Sequence, residues 1–214
     1  KYFSPIKSQK IALNLQRKEK TDMNFEDIQL KENISNPTIL ISFIQPKFDY
    51  NNRLEHYKMQ LLLELLDGSN SSRFTKNLVD KKKVALETFA SFDTYPINRN
   101  IISIGGIPRT KISTEVLKNE ILLQFQDIVK EGVTDKEFES LKSRLVASNK
   151  FKFDSLFGQV MSIGVLEAKG INWDVLDHYL EDINKITKND LVATAKKYFV
   201  NKDFVFTVIY PKES

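Results

Sequence analysis

The 214-residue chain has no cysteine, only two histidines and seven glycines, and no apolar run near the ~20 residues a membrane-spanning helix needs. Without cysteine there is no disulfide, no thiolate nucleophile and no Cys-based zinc site. Oxidising and reducing compartments both stay open on that count. Zinc hydrolysis needs two His ligands on one helix face, a carboxylate ligand and a Glu base. His56 and His178 lie too far apart in sequence to share a helix face. No Gly-x-Ser-x-Gly elbow occurs, and Gly105-Gly106 ends an apolar run without a phosphate-loop sequence. The 32 basic and 28 acidic residues leave a net charge of +4 with no strong bias of sign. The one basic run, Lys81-Lys82-Lys83, follows Asp80 and reads as a solvated helix end. A nucleic-acid footprint would be a concentrated stripe, so that class has little support. The chain opens at Lys1 with neither methionine nor an apolar leader, as an excised or processed piece would.

What is present is ordinary for a globular domain: 41% apolar and 28% charged residues, long enough to bury a core without staples. The organising stretch is Leu54 to Phe92. An apolar helix runs to Leu66 and stops at Asp67-Gly68. Ser69-Asn70-Ser71-Ser72 then caps a short helix carrying Arg73, Phe74, Leu78 and Val79, and a β-rich segment follows from Val84 to Phe92. Upstream, Ile11, Leu13 and Leu15 alternate as a strand face, and Phe25, Ile28 and Leu30 begin a second strand. Thr38 to Ile44 is a buried strand closed by Gln45-Pro46.

Downstream, Asn100 to Ile107 makes a hairpin with the 84–92 strand. Residues 113–130 form a helix closed by Gly132. Thr134 and Glu137 spell a capping box before a long helix that loosens near Lys150–Gly158 and resumes to Gly170. Thr187 and Asp190 spell a second box. A helix starting at Asn172 or Asp174 lies between them, with His178 partly buried on it. Phe204 to Tyr210, apolar on both faces, is a central strand. Strands early, in the middle and at the end, with helical blocks between, give an α+β fold: a mostly antiparallel sheet with helices packed on one face.

In this order, LLLELLDGSNSSRF, the hairpin, EGVTDKEFESLKSRL, WDVLDHYLEDINKITKNDLVATAKKYF and FVFTVIYP resemble one domain of the pitrilysin/insulinase-type zinc metallopeptidases, the mitochondrial-processing-peptidase kind. The resemblance covers about Asn36 to Pro211. It implies the carboxyl-terminal, non-zinc-binding domain, with residues 1–36 as N-terminal strands and connection and 37–214 as the inactive peptidase-like domain, one unit together. It implies a sheet whose uncovered side faces a peptide chamber, no cofactor in this chain, and zinc only in a partner domain. Partners implied are a zinc-bearing domain or subunit and a peptide substrate, with a homodimer open. Bacterial members are frequently exported, which points to a periplasm or envelope. The function implied is to enclose and bind peptide; the alternative is a catalytically dead scaffold or peptide-binding subunit of an assembly.

The motifs themselves depart from activity. The family's His-x-x-Glu-His motif meets Asn52-Arg53-Leu54-Glu55-His56 here, with Asn in the first ligand position. It is either a decayed motif or a chance Glu-His pair on the outer face of a helix start; the second reading is taken. The family's non-zinc domain often carries an Arg and a Tyr seven residues apart that bind the substrate carbonyl. Those positions fall on Val79 and Leu86, which cannot donate a hydrogen bond. No catalytic residue and no metal ligand is therefore expected. Arg73, Val79, Lys82, Lys83 and Leu86 are the candidate substrate contacts, with local pairing the stronger reading for Arg73.

Overall fold

The computed structural model describes residues 25–212, with Pro5 and Lys7. The strand expected at Ile11–Leu15 lies outside the described residues. Among those described, five strands form one sheet in the order β1-β5-β2-β4-β3: β1 Ile28–Glu32, β2 Thr38–Gln45, β3 Ala85–Ser91, β4 Asn100–Pro108 and β5 Val205–Pro211. All pairings are antiparallel except β1 with β5. The last strand thus returns between the first two. It lies inside the sheet, as its two apolar faces predict, but β2 holds the middle position.

β2 shows how the sheet is dressed. Ile39, Ile41, Phe43 and Gln45 are buried, while the alternate residues are only partly covered. Period-two burial means that one face is packed and the other is not. Register extends the packed face: Ile41 sits opposite Ile104 on β4 and Phe206 on β5. Against it lie α1 Arg53–Asp67 and α2 Thr114–Glu131. α1 buries eight residues, and α2 adds Leu117, Ile121, Phe125 and Ile128. Phe125 stacks on Phe199 with ring centres 4.5 Å apart, and Phe43 meets Phe199 edge-on. Fully burying side chains of this size is worth ~1.5–3 kcal/mol each.

The helices start and stop for the reasons the sequence suggests, with two differences. Both capping boxes form: Thr134 with Glu137 opens α3 Asp135–Asp154, and Thr187 with Asp190 opens α6 Lys188–Tyr198. The expected loosening is a break at Ser155. It ends α3 and caps α4 Leu156–Ala168, its Oγ accepting the Gly158 N–H at 2.9 Å. Asp174 precedes α5 Val175–Lys185. Gly132 ends α2 at φ +81° and ψ −163°, a positive-φ backbone that glycine adopts without a side-chain clash. Gly68 differs: its backbone stays right-handed, and it is small because a Cβ would meet the Glu64 carbonyl oxygen at 2.6 Å.

The second difference is the short helix, which starts without a side-chain cap although Ser69 to Ser72 are expected to supply one. Thr75–Lys81 winds as a π-helix, closed by the Lys82 N–H donating to the Asn77 carbonyl five residues back. Such wide turns are rare and are often found at functional positions. Lys83 then takes φ +53°, and the chain enters β3 through a bulge between Ala85 and Glu87. No described helix is long and apolar enough to cross a membrane.

Candidate functional site

Two surfaces collect the residues that the sequence marks. The first is the hollow between the end of α1, the π-helix and β3. It encloses ≈ 360 Å³ and is lined by both Val79 and Leu86. Leu86 is the extra residue of the β3 bulge. It has no partner on β4, and the distortion leaves its side chain exposed. Val79, by contrast, packs partly into the core. Around this apolar pair the lining is polar: Asp67, Ser69, Asn70, Thr75, Glu87 and Thr88. Val79 and Leu86 thus stand as two apolar side chains in a polar hollow.

Asp67 matters more here than a helix-stop residue would. Its carboxylate accepts from Thr88 Oγ1 at 2.8 Å and from the Ala90 N–H at 2.9 Å, joining the end of α1 to β3. Burial pushes its pKa upward against those two hydrogen bonds. Arg109, also without a sequence signal, donates from Nε to the Ala85 carbonyl and from Nη2 to the Val79 carbonyl. It holds the backbone on which both marked residues stand. These roles depend on contacts across 20 to 30 residues of chain, so no local pattern announces them.

The remaining marked residues go elsewhere. Arg73 donates from Nε and Nη2 to both Glu137 oxygens, at 2.9 and 3.0 Å, and from Nη2 to the Gly132 carbonyl at 2.8 Å. This fork locks the turn after α1 to the start of α3. Burial disfavours the Glu137 charge, but Arg73 and the Thr134 backbone and hydroxyl outweigh it and take its pKa to about 2. Lys82 pairs with Glu120 on α2. Lys83 is exposed on its left-handed turn.

The segment tested against zinc does not fit it. Asn52 ends a 3-10 turn, Tyr50–Asn52, and is exposed. Glu55 is held by Lys197 and by the Tyr198 hydroxyl, which donates at 2.8 Å. His56 is not on the outer face of the helix start: it is 3% exposed, beside Phe48, with Nε2–H donating to the Lys47 carbonyl at 3.1 Å. Its Nδ1 is buried and has no partner among the described residues. Burial lowers its pKa, only partly offset by the Lys47 carbonyl. His178, expected to be partly buried, stands in solvent on α5, 4.0 Å from Glu181. The helix that should have carried both ligands turns its one histidine into the core. Among the described residues no group of three His, Asp or Glu converges as a metal site.

The second surface is the uncovered face of the sheet. Leu40, Ser42 and Ile44 of β2 lie opposite Gly105, Ser103 and Ile101 of β4, and Thr207 and Ile209 of β5 continue the face. Phe89 of β3 crosses above Gly105, where a Cβ would meet its ring at 2.8 Å. Ile101 is more than half exposed, and Glu87 at the rim is the one charge among these paired positions of β2 to β5. The face offers apolar side chains and hydroxyls in alternation.

Comparison with known proteins agrees with this architecture. A protease from Helicobacter pylori superposes with a TM-score of 0.78 at 19% identity, over 87% of this chain and 44% of its own. An inactive peptidase domain from Bordetella parapertussis gives 0.72 at 14% identity, over 86% of this chain and 96% of its own. The periplasmic protease PqqL of Escherichia coli gives 0.64 at 11% identity, over 87% and 20%. At such identities the likeness is one of fold, and this chain spans less than half of the H. pylori protein. No functionally curated protein matches the sequence. The family model for the peptidase M16 inactive domain matches residues 1–145. That match takes in the first 35 residues, which the motifs reach only loosely, and stops short of the last helices and β5. The chain therefore belongs to the peptidase M16 family, as a domain of its inactive kind.

Proposed function

We propose that this domain forms the non-catalytic wall of a peptide chamber, closed by a zinc-bearing domain of the same family. The observation that carries the reading is the uncovered sheet face, with its apolar side chains and hydroxyls and almost no charge. An extended peptide can lie on such a face in many sequences, because little there selects or rejects a charge. The nearby hollow supports the same reading: Val79 and Leu86 can touch a side chain but cannot hydrogen-bond a developing oxyanion. The chemistry is left to the partner, and this chain contributes enclosure. The lengths of the relatives support a partner domain, and the periplasmic address of PqqL supports an envelope location.

The test is turnover of an unstructured, quenched peptide by this domain together with its zinc-bearing partner. Ile101→Lys places a charge on the face at a solvent-exposed position, so the fold should survive. It should raise KM about tenfold, equivalent to ~1.4 kcal/mol. Val79→Arg with Leu86→Tyr should instead raise kcat, by up to a few kcal/mol of oxyanion stabilisation. Unchanged kinetics in both variants, with the partner's zinc in place, would show that peptide never meets this surface. A complex that binds peptide without any turnover would favour the scaffold role.

A further inference from the structure

α4 presents to solvent the kind of surface that proteins cover. Leu156 and Phe157 are each 76% exposed, Val160 is 58% and Met161 is 49%. At 100° per residue, Leu156, Val160 and Ile163 form one stripe, with Phe157, Gly164 and Met161 beside it. Only Ser162 and Leu166 turn inward and are buried. Glu167 is the single charge on the outward arc. Contiguous apolar surface of this kind marks an interaction site.

The helix is not a frayed segment. Ser155 caps its start. At its end the Lys169 Nζ donates to Asp93 at 2.7 Å and to the Tyr95 carbonyl at 3.0 Å, tying it to the loop after β3. It is fixed in place with its apolar side outward. Beside it runs a groove of ≈ 290 Å³ floored by Phe157, Met161 and Val165. Gly164 lies in mid-helix, where a Cβ would meet nothing within 4 Å. A helix-interior glycine costs ~1 kcal/mol against alanine. The packing of the described residues gives no reason for it, whereas a close-packed partner backbone does.

The length of one relative names a candidate for what covers the face. In the H. pylori protease the matched fold makes up 44% of the chain, so more than an equal length of further protein adjoins it there. We infer that α4 is the docking face for the companion zinc-bearing peptidase domain. The surface fits a partner patch that is apolar at its centre and carries carboxylates toward the exposed Lys150 and Lys152. The inference rests on the chamber reading above but concerns a different surface.

The absence of cysteine makes the test direct. Val160→Cys gives a single thiol, whose maleimide reaction is timed in this domain alone and in the complex with the zinc-bearing domain from the same organism. Lys196→Cys, exposed on α6, serves as the control. The rate at position 160 should fall at least tenfold in the complex and hold at position 196. Gly164→Leu should leave the melting temperature of the isolated domain undiminished and weaken the association at least tenfold. If the two domains associate and the thiol at position 160 still reacts at its free rate, the docking face is wrong while the partner reading stands. If the domains do not associate at any concentration, the partner reading fails and the inference with it. Protection that appears in the isolated domain as its concentration rises, with a dimer in sedimentation, would assign the face to a second copy. Protection by anionic phosphatidylglycerol vesicles alone would assign it to a membrane surface. Either result overturns the inference.

Discussion

α1 and α4 are both apolar helices, yet they have opposite fates. α1 buries eight of its fifteen residues between the sheet and the other helices, and its leucines at 61, 62 and 66 are wholly covered. α4 is at least as rich in apolar side chains, and it buries two residues of thirteen. Composition cannot separate them. The difference is what lies opposite each: α1 has the sheet, α3, α5 and α6 as neighbours, while α4 leans mainly on α3 and is held by its ends. An apolar helix is thus a statement about some interface, and only the tertiary structure says whether the domain itself completes it.

The largest expected effect sharpens this contrast. Leu62→Ala should cost ~2–5 kcal/mol in chemical denaturation, the usual cavity range for a fully buried leucine. Val160→Ala, measured on the isolated domain, should stay within about 0.5 kcal/mol, as exposed substitutions do. A Leu62 loss below ~0.5 kcal/mol would move α1 to the periphery and erase the distinction.

Next is the lock that joins the turn after α1 to α3. Arg73→Ala removes charge-assisted hydrogen bonds to Glu137 and should cost ~1.5–3 kcal/mol, toward the lower end because Glu137 is partly open to solvent. The pH dependence has a definite sign. Glu137 is depressed to about 2 in the folded state, so its stabilisation is full above the ordinary glutamate value of ~4.3. It drains away as pH falls from there toward 2. Glu137→Gln should flatten the stability profile over that window, and an unchanged slope would mean that Arg73 and Glu137 do not pair in solution.

His56 gives a smaller effect on the α1 side. Its pKa is lowered by burial, so the unfolded chain takes up a proton first as pH falls below ~6.5. Stability present above that pH is then lost, at no more than ~1.4 kcal/mol per pH unit. His56→Phe should remove this slope between pH 7 and 5. The smallest effect has the opposite sign. Gly164→Ala should stabilise the isolated domain by up to ~1 kcal/mol, because none of the described residues occupies the space. A destabilised variant would show that the α4 face is already packed.

Much of the fold can be read from local patterns. TILISFIQ alternates, and β2 alternates. Thr134 with Glu137 and Thr187 with Asp190 spell capping boxes, and both form, because a cap is settled within four residues. The π-turns of Thr75–Lys81 were not readable, since a π-helix and an α-helix share the same apolar spacing over two turns. Nor was the depth of His56: a Glu-His pair at a helix start looks solvated until Phe48 folds over it.

By itself, then, the sequence determined what must hold whatever the fold: no thiol chemistry, no second histidine near the first, and no hydrogen-bond donor at positions 79 and 86. It also determined the order of helices and strands, because capping and periodicity act over a few residues. The tertiary structure alone decided where distant segments meet. It set Leu86 on a bulge beside Val79, engaged Arg73 with Glu137 across 64 residues, and left the apolar side of α4 uncovered. These outcomes depend on which surfaces remain once the core has closed, and that is a property of the packed whole.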